Sequence, residues 1–199
     1  FDDFFHNYPL VEPWNQIVKT ILQHMPVKSF WGIHVRTKDG EGKNSVCDDL
    51  SYHAAADDML NKLDASSSNN NTPALAVIGR TNKYSKGCMI EYLKKGKASR
   101  NNVTTSPYTL PNIVTVNDLI DANPQRDQLN AWIQSIPIEL STAYLLLDQL
   151  ILALAKELVT TAMHFGSTFQ WVIRERQAHR DQNMAAFMTN NTVIMNKCL

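Results

Sequence analysis

Short apolar runs alternate with amphipathic stretches along most of the chain. Residues 14–24 carry apolar side chains at helical spacing, and Pro26 ends that pattern. Nearly continuous apolar runs predict strands at 30–35, 74–78, 113–116, 158–162 and, at a sheet edge, 192–195. Helical patterns between them predict helices at 51–63, 85–95, 129–133, 141–155 and 169–177.

A strand followed by a helix, repeated about four times, is typical of a parallel sheet that is covered on both faces. We therefore predict an α/β fold with a Rossmann-like, doubly wound, mostly parallel sheet and right-handed crossovers. The expected domain is a single one over 1–199, in which 1–28 is an irregular lead-in plus a helix and 64–72 is a flexible loop. No Gly-x-Gly-x-x-Gly follows a strand, so the NAD fingerprint is missing from the sequence.

Polar residues and glycine set the predicted helix boundaries. Ser51 is expected to cap the second helix, and Gly96 is expected to end the third, after which a polar loop runs to Pro111. Asn117 or Asp118 is expected to cap the helix that follows the third strand.

Composition and charge narrow the function classes. The 199 residues are 44% hydrophobic and 19% charged, which is typical of a globular protein with a sizeable core. Lys+Arg and Asp+Glu both number 19, so the absence of a basic excess disfavours a nucleic-acid or anionic-membrane binder. The apolar stretch 143–155 is too short to span a bilayer. Because residue 1 is Phe, we expect a processed chain or part of a longer one, with an N-terminal domain or membrane anchor outside it.

The cysteines and the glycosylation sequons both bear on the cellular compartment in which the protein is found. Cys47, Cys88 and Cys198 form no C-x-x-C, so we expect no structural zinc; they allow one disulfide, whose pairing the sequence leaves open. The N-x-S/T sequons, which indicate N-glycosylation in the secretory pathway (ER or Golgi lumen), begin at Asn70, Asn102 and Asn190.

The first stretch with candidate chemistry follows the strand 30–35. Apolar residues there give way to Arg36 and to a loop rich in charge and glycine. Ligands of open α/β sheets bind just beyond the carboxyl ends of the strands, where a guanidinium can grip two phosphate oxygens. His34 and Arg36 share one face of such a strand. The alternative is an ordinary surface arginine.

The second stretch is 160–171, in which a strand ends, Gly166 permits a turn and hydroxyls precede a helix. Ser167 or Thr168 would lie at the N-terminus of that helix, where free N–H groups favour a phosphate. The alternative is that Ser167 only caps the helix while Phe169 fills the core. In a parallel sheet this turn and Arg36 are expected at the same edge.

Three motifs together resemble a known family. Gly32-Ile-His-Val-Arg36 is similar to the G-x-H-x-R signature of the fucosyltransferase superfamily, which includes peptide O-fucosyltransferases and α1,6-fucosyltransferases. The apolar helix and strand at 145–161 and the Gly166–Trp171 turn are similar to later blocks of that family. The resemblance covers about 30–177, and the blocks occur in the family's order.

The resemblance implies a GT-B glycosyltransferase of two Rossmann-like domains, with this chain as the C-terminal half that binds the nucleotide sugar GDP-fucose. It implies that Arg36 is catalytic and grips the diphosphate, and that His34 lines the donor site. Lys38 is expected to supply the second basic residue that some members have directly after the arginine, where this chain has Thr37. Ser167, Thr168 and Phe169 would contact the donor's phosphates and nucleoside.

The resemblance further implies an inverting transfer of fucose to a protein or glycan acceptor, with no metal and no other cofactor. The partners expected are therefore the donor and the acceptor, and no nucleic acid. Two alternatives remain open from the sequence: a non-catalytic protein that kept the donor-domain fold, and a structural or interaction partner in an assembly.

Overall fold

The computed structural model describes residues 13–35, 47, 50–67, 73–79, 85–101, 109–160, 173, 177 and 178. The helices are α1 (Trp14–Gln23), α2 (Leu50–Ser67), α3 (Ser85–Asn101), α4 (Val116–Asp121), α5 (Arg126–Ser135) and α6 (Leu140–Ala153). The strands are β1 (Trp31–His34), β2 (Leu75–Ile78), β3 (Asn112–Thr115) and β4 (Glu157–Thr160).

The four strands form one sheet in the order β3-β2-β1-β4, and every pair is parallel. β1 is central: Ile33 pairs with Ile78 of β2 on one side and with Val159 of β4 on the other. All residues of β1 and β2 are buried, as their continuous apolar runs predict. The α/β prediction is confirmed.

Helices cover both faces of the sheet. Trp31 and Ile33 point to one face and join the core formed with α2 and α3, whereas Phe30 joins the second core with α1, α4, α5 and α6. The chain builds β1, β2 and β3 outward with α2 and α3 on one face. It then returns along the opposite face to add β4 beside β1, which is the doubly wound arrangement.

Three predicted helix boundaries are wrong, two in α2 and one in α3. α2 begins at Leu50, so Ser51 lies inside it, and the helix continues to Ser67 through the start of the loop predicted at 64–72. α3 continues past Gly96 to Asn101. The reason for this glycine is packing, because a Cβ at Gly96 would lie 2.6 Å from Cδ1 of the buried Leu60. Gly96 lets α2 and α3 approach each other; it does not reverse the chain.

The predicted N-cap of α4, Asn117 or Asp118, is also wrong. Thr115, the last residue of β3, is the N-cap, and Asp118 is the third residue of the helix. The Thr115 hydroxyl accepts from the Asp118 N–H at 3.1 Å, and Asp118 Oδ2 accepts from the Thr115 N–H at 2.8 Å. The T-x-x-D spacing of such a capping box is present in the sequence.

The observed bounds of α1, α6, β2 and β4 agree with the predicted bounds within a few residues. α5 is longer than the helix predicted at 129–133. The predicted strand 192–195, the lead-in before residue 13 and most of the helix 169–177 lie outside the described residues.

One leucine of α6 packs against the middle of the sheet. A Cβ at Gly32 would lie 3.0 Å from Leu152 Cδ2, 3.1 Å from Ala155 Cβ and 3.2 Å from Leu158 Cδ1. At Gly79, a Cβ would lie 2.9 Å from Leu152 Cδ1. Both positions therefore need glycine so that α6 can lie this close to β1.

Replacing Gly32 by Ala should lower the free energy of unfolding by about 1–3 kcal/mol, because the new methyl overpacks a space closed on three sides. The matched control is Gly87→Ala in α3, where a Cβ meets nothing within 4 Å. That change should be neutral or stabilising by up to about 1 kcal/mol, since alanine favours helix. Urea unfolding measures both; equal effects of the two variants would contradict the packing explanation.

Candidate functional site

The order of the strands reverses beside β1. β2 and β3 extend the sheet on one side of β1, and β4 is added on the other side after the chain has returned. His34 and Thr160, the last residues of β1 and β4, are register partners. Doubly wound sheets bind ligands outside the carboxyl ends of the strands at such a reversal. The carboxyl edge at β1 and β4 is therefore the candidate site.

His34 is the one predicted site residue that lies among the described residues. It is 7% exposed and ends β1. Alternation along the strand places His34 on the same side as Gly32, the side covered by α6. The predicted Arg36 and Lys38, which follow β1, and Ser167, Thr168 and Phe169, which follow β4, lie outside the described residues.

The described parts of the segment after β4 lie beside β1 at one end and against the end of α6 at the other. It leaves from Thr160, the register partner of His34. It is described again at Ile173, which is fully buried against Leu152, and at Gln177. Gln177 Nε2 donates to the carbonyl oxygen of Ala155, which precedes β4, at 3.3 Å. Ile173 and Gln177 therefore both contact the end of α6 or the residues just after it.

A disulfide holds the connection that follows β1. Cys47, in that connection, is bonded to the buried Cys88 in the first turns of α3. The Tyr92 hydroxyl donates to the carbonyl oxygen of Cys47 at 2.6 Å. The structure therefore settles the pairing that the sequence left open. The chain that carries Arg36 is attached at its far end to α3.

An ion pair lies at the same edge, beyond β3. Lys86 of α3 donates to Asp118 Oδ2 at 2.8 Å. Partial burial alone would raise the pKa of Asp118, but the Lys86 hydrogen bond, the Thr115 hydrogen bonds and the Lys86 charge together lower it below its usual value. The sequence predicts Asp118 only as a helix cap; the T-x-x-D spacing signals the capping box, whereas nothing in the sequence indicates the pairing with Lys86, which is 32 positions away.

Two glycosylation sequons fall in connections that begin and end at the opposite edge. Asn70 lies between the end of α2 and the start of β2, and Asn102 directly follows α3 and precedes β3. Chain segments that lead from a helix to a parallel strand meet the sheet at its amino edge. These asparagines and Asn190 themselves lie outside the described residues.

Among the described residues, no three or more His, Cys, Asp or Glu side chains are grouped so that they would hold a metal ion. No single helix in that part of the chain is long and apolar enough to cross a membrane. α5 and α6 meet the length and composition criteria only together, with a bend of 116° between them.

Comparisons of the chain with protein-family models, with curated proteins and with solved structures give no match.

Removing the disulfide in the double variant Cys47→Ser/Cys88→Ser should lower the free energy of unfolding by about 2–4 kcal/mol, because the bridge closes a loop across 41 positions. Urea unfolding without reductant measures the loss. Cys198→Ser, which leaves this bridge intact, is the control. If dithiothreitol destabilises the double variant as much as the wild type, the bridge is not the cause.

Asp118→Asn should make the free energy of unfolding less dependent on pH in the acid range. The folded-state pKa lies below the ordinary 3.8, so the carboxylate stabilises the fold fully above 3.8 and loses this effect as pH falls through the folded-state value. Because the Lys86–Asp118 pair is partly exposed and screened by solvent, the variant should lose at most about 1 kcal/mol at neutral pH, and it should show a flatter decline below about pH 4. Urea unfolding from pH 7 to 2 measures this. Asp127→Asn, at a side chain that is 91% exposed, should keep the wild-type slope.

Proposed function

We propose that this chain is the donor-binding half of an inverting, fucosyltransferase-like glycosyltransferase that uses GDP-fucose. The observation that supports this most is the pairing of β1 with β4 at the reversal of strand order, where His34 is the register partner of Thr160. The two segments with anion-binding chemistry, one after β1 and one after β4, therefore leave from adjacent strands at the same edge.

The first support concerns the diphosphate. Arg36 follows the end of β1 by two positions. A guanidinium is charged at every physiological pH and can bind two phosphate oxygens as a fork. A chain with no net charge attracts a nucleotide only through such local cations, and Lys38 adds a second one nearby in the sequence.

The second support concerns the turn with hydroxyls. Ser167 and Thr168 lie between Thr160, at the carboxyl edge, and Ile173, beside Leu152. The helix predicted over 169–177 would begin directly after these two hydroxyls. Free N–H groups at a helix N-terminus suit a phosphate. The proposal assigns Ser167, Thr168 and Phe169 to the phosphates and nucleoside.

The chemistry follows from these groups. An acceptor hydroxyl attacks the anomeric carbon of fucose, the bond from that carbon to the phosphate oxygen breaks, and GDP leaves with the bonding electrons. Arg36 and the N–H donors stabilise the negative charge that develops on the leaving phosphate. The acceptor's proton passes to a base on the acceptor side, in a domain outside this chain. His34, buried at the same edge, lines the donor site.

A location in the secretory pathway is part of the proposal. The Cys47–Cys88 disulfide supports it, because such bonds persist in oxidising compartments. The sequons at Asn70 and Asn102 support it too, because N-glycosylation takes place in that pathway. Both sequons lie in amino-edge connections, so a glycan there would leave the carboxyl edge open to a donor.

GDP-fucose should bind to the wild-type chain, and Arg36→Ala should weaken binding by about 2 kcal/mol, or roughly thirtyfold in Kd, because the diphosphate loses its charged partner. Isothermal titration with GDP-fucose, GDP and ADP measures this. The control Arg126→Ala, at an exposed arginine of α5 paired with Asp127, should bind like the wild type.

The titration also separates the alternatives. Selectivity for GDP over ADP together with fucose transfer by the complete protein supports the enzyme. Nucleotide binding without transfer to protein or glycan acceptors would point to a non-catalytic relative. No binding of any of the three nucleotides to a folded wild-type chain would contradict the proposal.

A further inference from the structure

A polar groove lies between α1 and the start of α5. Its volume is about 470 Å³, which is in the range of small-molecule sites. It is open to solvent and is separate from the residues at the ends of β1 and β4. The residues that line it are Asn15, Gln16, Lys19, Thr20, Gln23, Gln125, Gln128 and Trp132.

A buried asparagine fixes the two walls of this groove. Asn123 is 5% exposed, and its Nδ2 donates to the carbonyl oxygen of Thr20 in α1 at 3.2 Å. Its Oδ1 accepts from the N–H of Gln125 at 2.9 Å. These bonds tie α1 to the turn before α5, so the lining side chains project from a preorganised frame.

The lining has an unusual chemistry. Of the eight described side chains that line the groove, five are carboxamides and none is a carboxylate. A carboxamide both donates and accepts hydrogen bonds, as adjacent hydroxyls of a sugar do, whereas a cation or an anion offers one role only. Lys19 is the single charged group among these eight described residues. One cation is too little for nucleic acid, which needs several cations along its backbone.

Trp132 adds the apolar surface that such a site needs. It is partly buried against the core that contains Leu129 and Ile133, and its remaining surface lines the groove. Its aromatic ring is large and held in place by that core, so it offers a preformed platform for the C–H groups of a sugar ring. Polar amides around one aromatic side chain match a ligand that is hydroxylated at its edges and apolar on its faces.

We propose that this groove is a binding site for a neutral saccharide of about one or two sugar units. The proposal rests on the lining of the groove and on its fixed frame, and it does not depend on the donor site at the carboxyl edge. It would hold for a catalytic and for a non-catalytic protein alike.

Lactose, chitobiose and mannobiose serve as probes, each titrated to about 20 mM into ¹⁵N-labelled protein, which detects millimolar Kd values. At least one of them should shift the side-chain amide signals of Gln16 and Gln128 and the indole signal of Trp132. The double variant Gln16→Ala/Gln128→Ala should weaken that binding at least tenfold. Both positions are exposed on helices, so the variant keeps the fold.

Gln134→Ala is the matched control, since it removes an exposed glutamine of α5 that does not line the groove. It should bind the sugar like the wild type, and Trp132→Phe should retain folding with weaker binding. The proposal is overturned if none of the three sugars shifts the groove signals, or if the double variant binds as tightly as Gln134→Ala. A failure here leaves GDP binding unaffected, so the two proposals fail separately.

Discussion

The structure depends on a central strand that has no exposed side and no free edge. β1 is covered by α2 and α3 on one face and by α6 on the other, and it is hydrogen-bonded to both β2 and β4. Inside such a strand every backbone polar group must be paired, and each large apolar side chain contributes about 1.5–3 kcal/mol by its burial. A side chain that stays charged can therefore stand only past the end of the strand. Because of this restriction, anion-binding residues are expected just past the carboxyl end of β1.

The close approach of α6 gives a packing reason for one motif residue. Leu152 fills the space that Gly32 and Gly79 leave free, so Gly32 in the G-x-H-x-R pattern is explained without a ligand. His34 differs, because it ends the strand opposite Thr160. Leu152 also contacts the buried Ile173, so the same leucine holds the segment that follows β4.

A disulfide and an ion pair stabilise the carboxyl edge around β2 and β3. Cys47–Cys88 ties the connection after β1 to α3, and Lys86–Asp118 ties α3 to α4. The partly exposed ion pair contributes little to stability by itself, whereas the disulfide stabilises the fold by reducing the conformational entropy of the unfolded chain. The proposed sugar groove lies elsewhere, on helices, and is held by the hydrogen bonds of Asn123.

The sequence by itself determined the α/β class, because continuous apolar runs at β1 and β2 and helical periodicity at α1 are local signals of burial. It also indicated the kinds of residue that follow β1 and β4. Helix ends were less predictable: Gly96 is a stop signal locally, yet packing against Leu60 keeps it inside α3. Strand order, the partner of Cys47 and the frame around Asn123 were decided only by the tertiary structure, since each joins residues far apart in the chain and leaves no periodic pattern in the sequence.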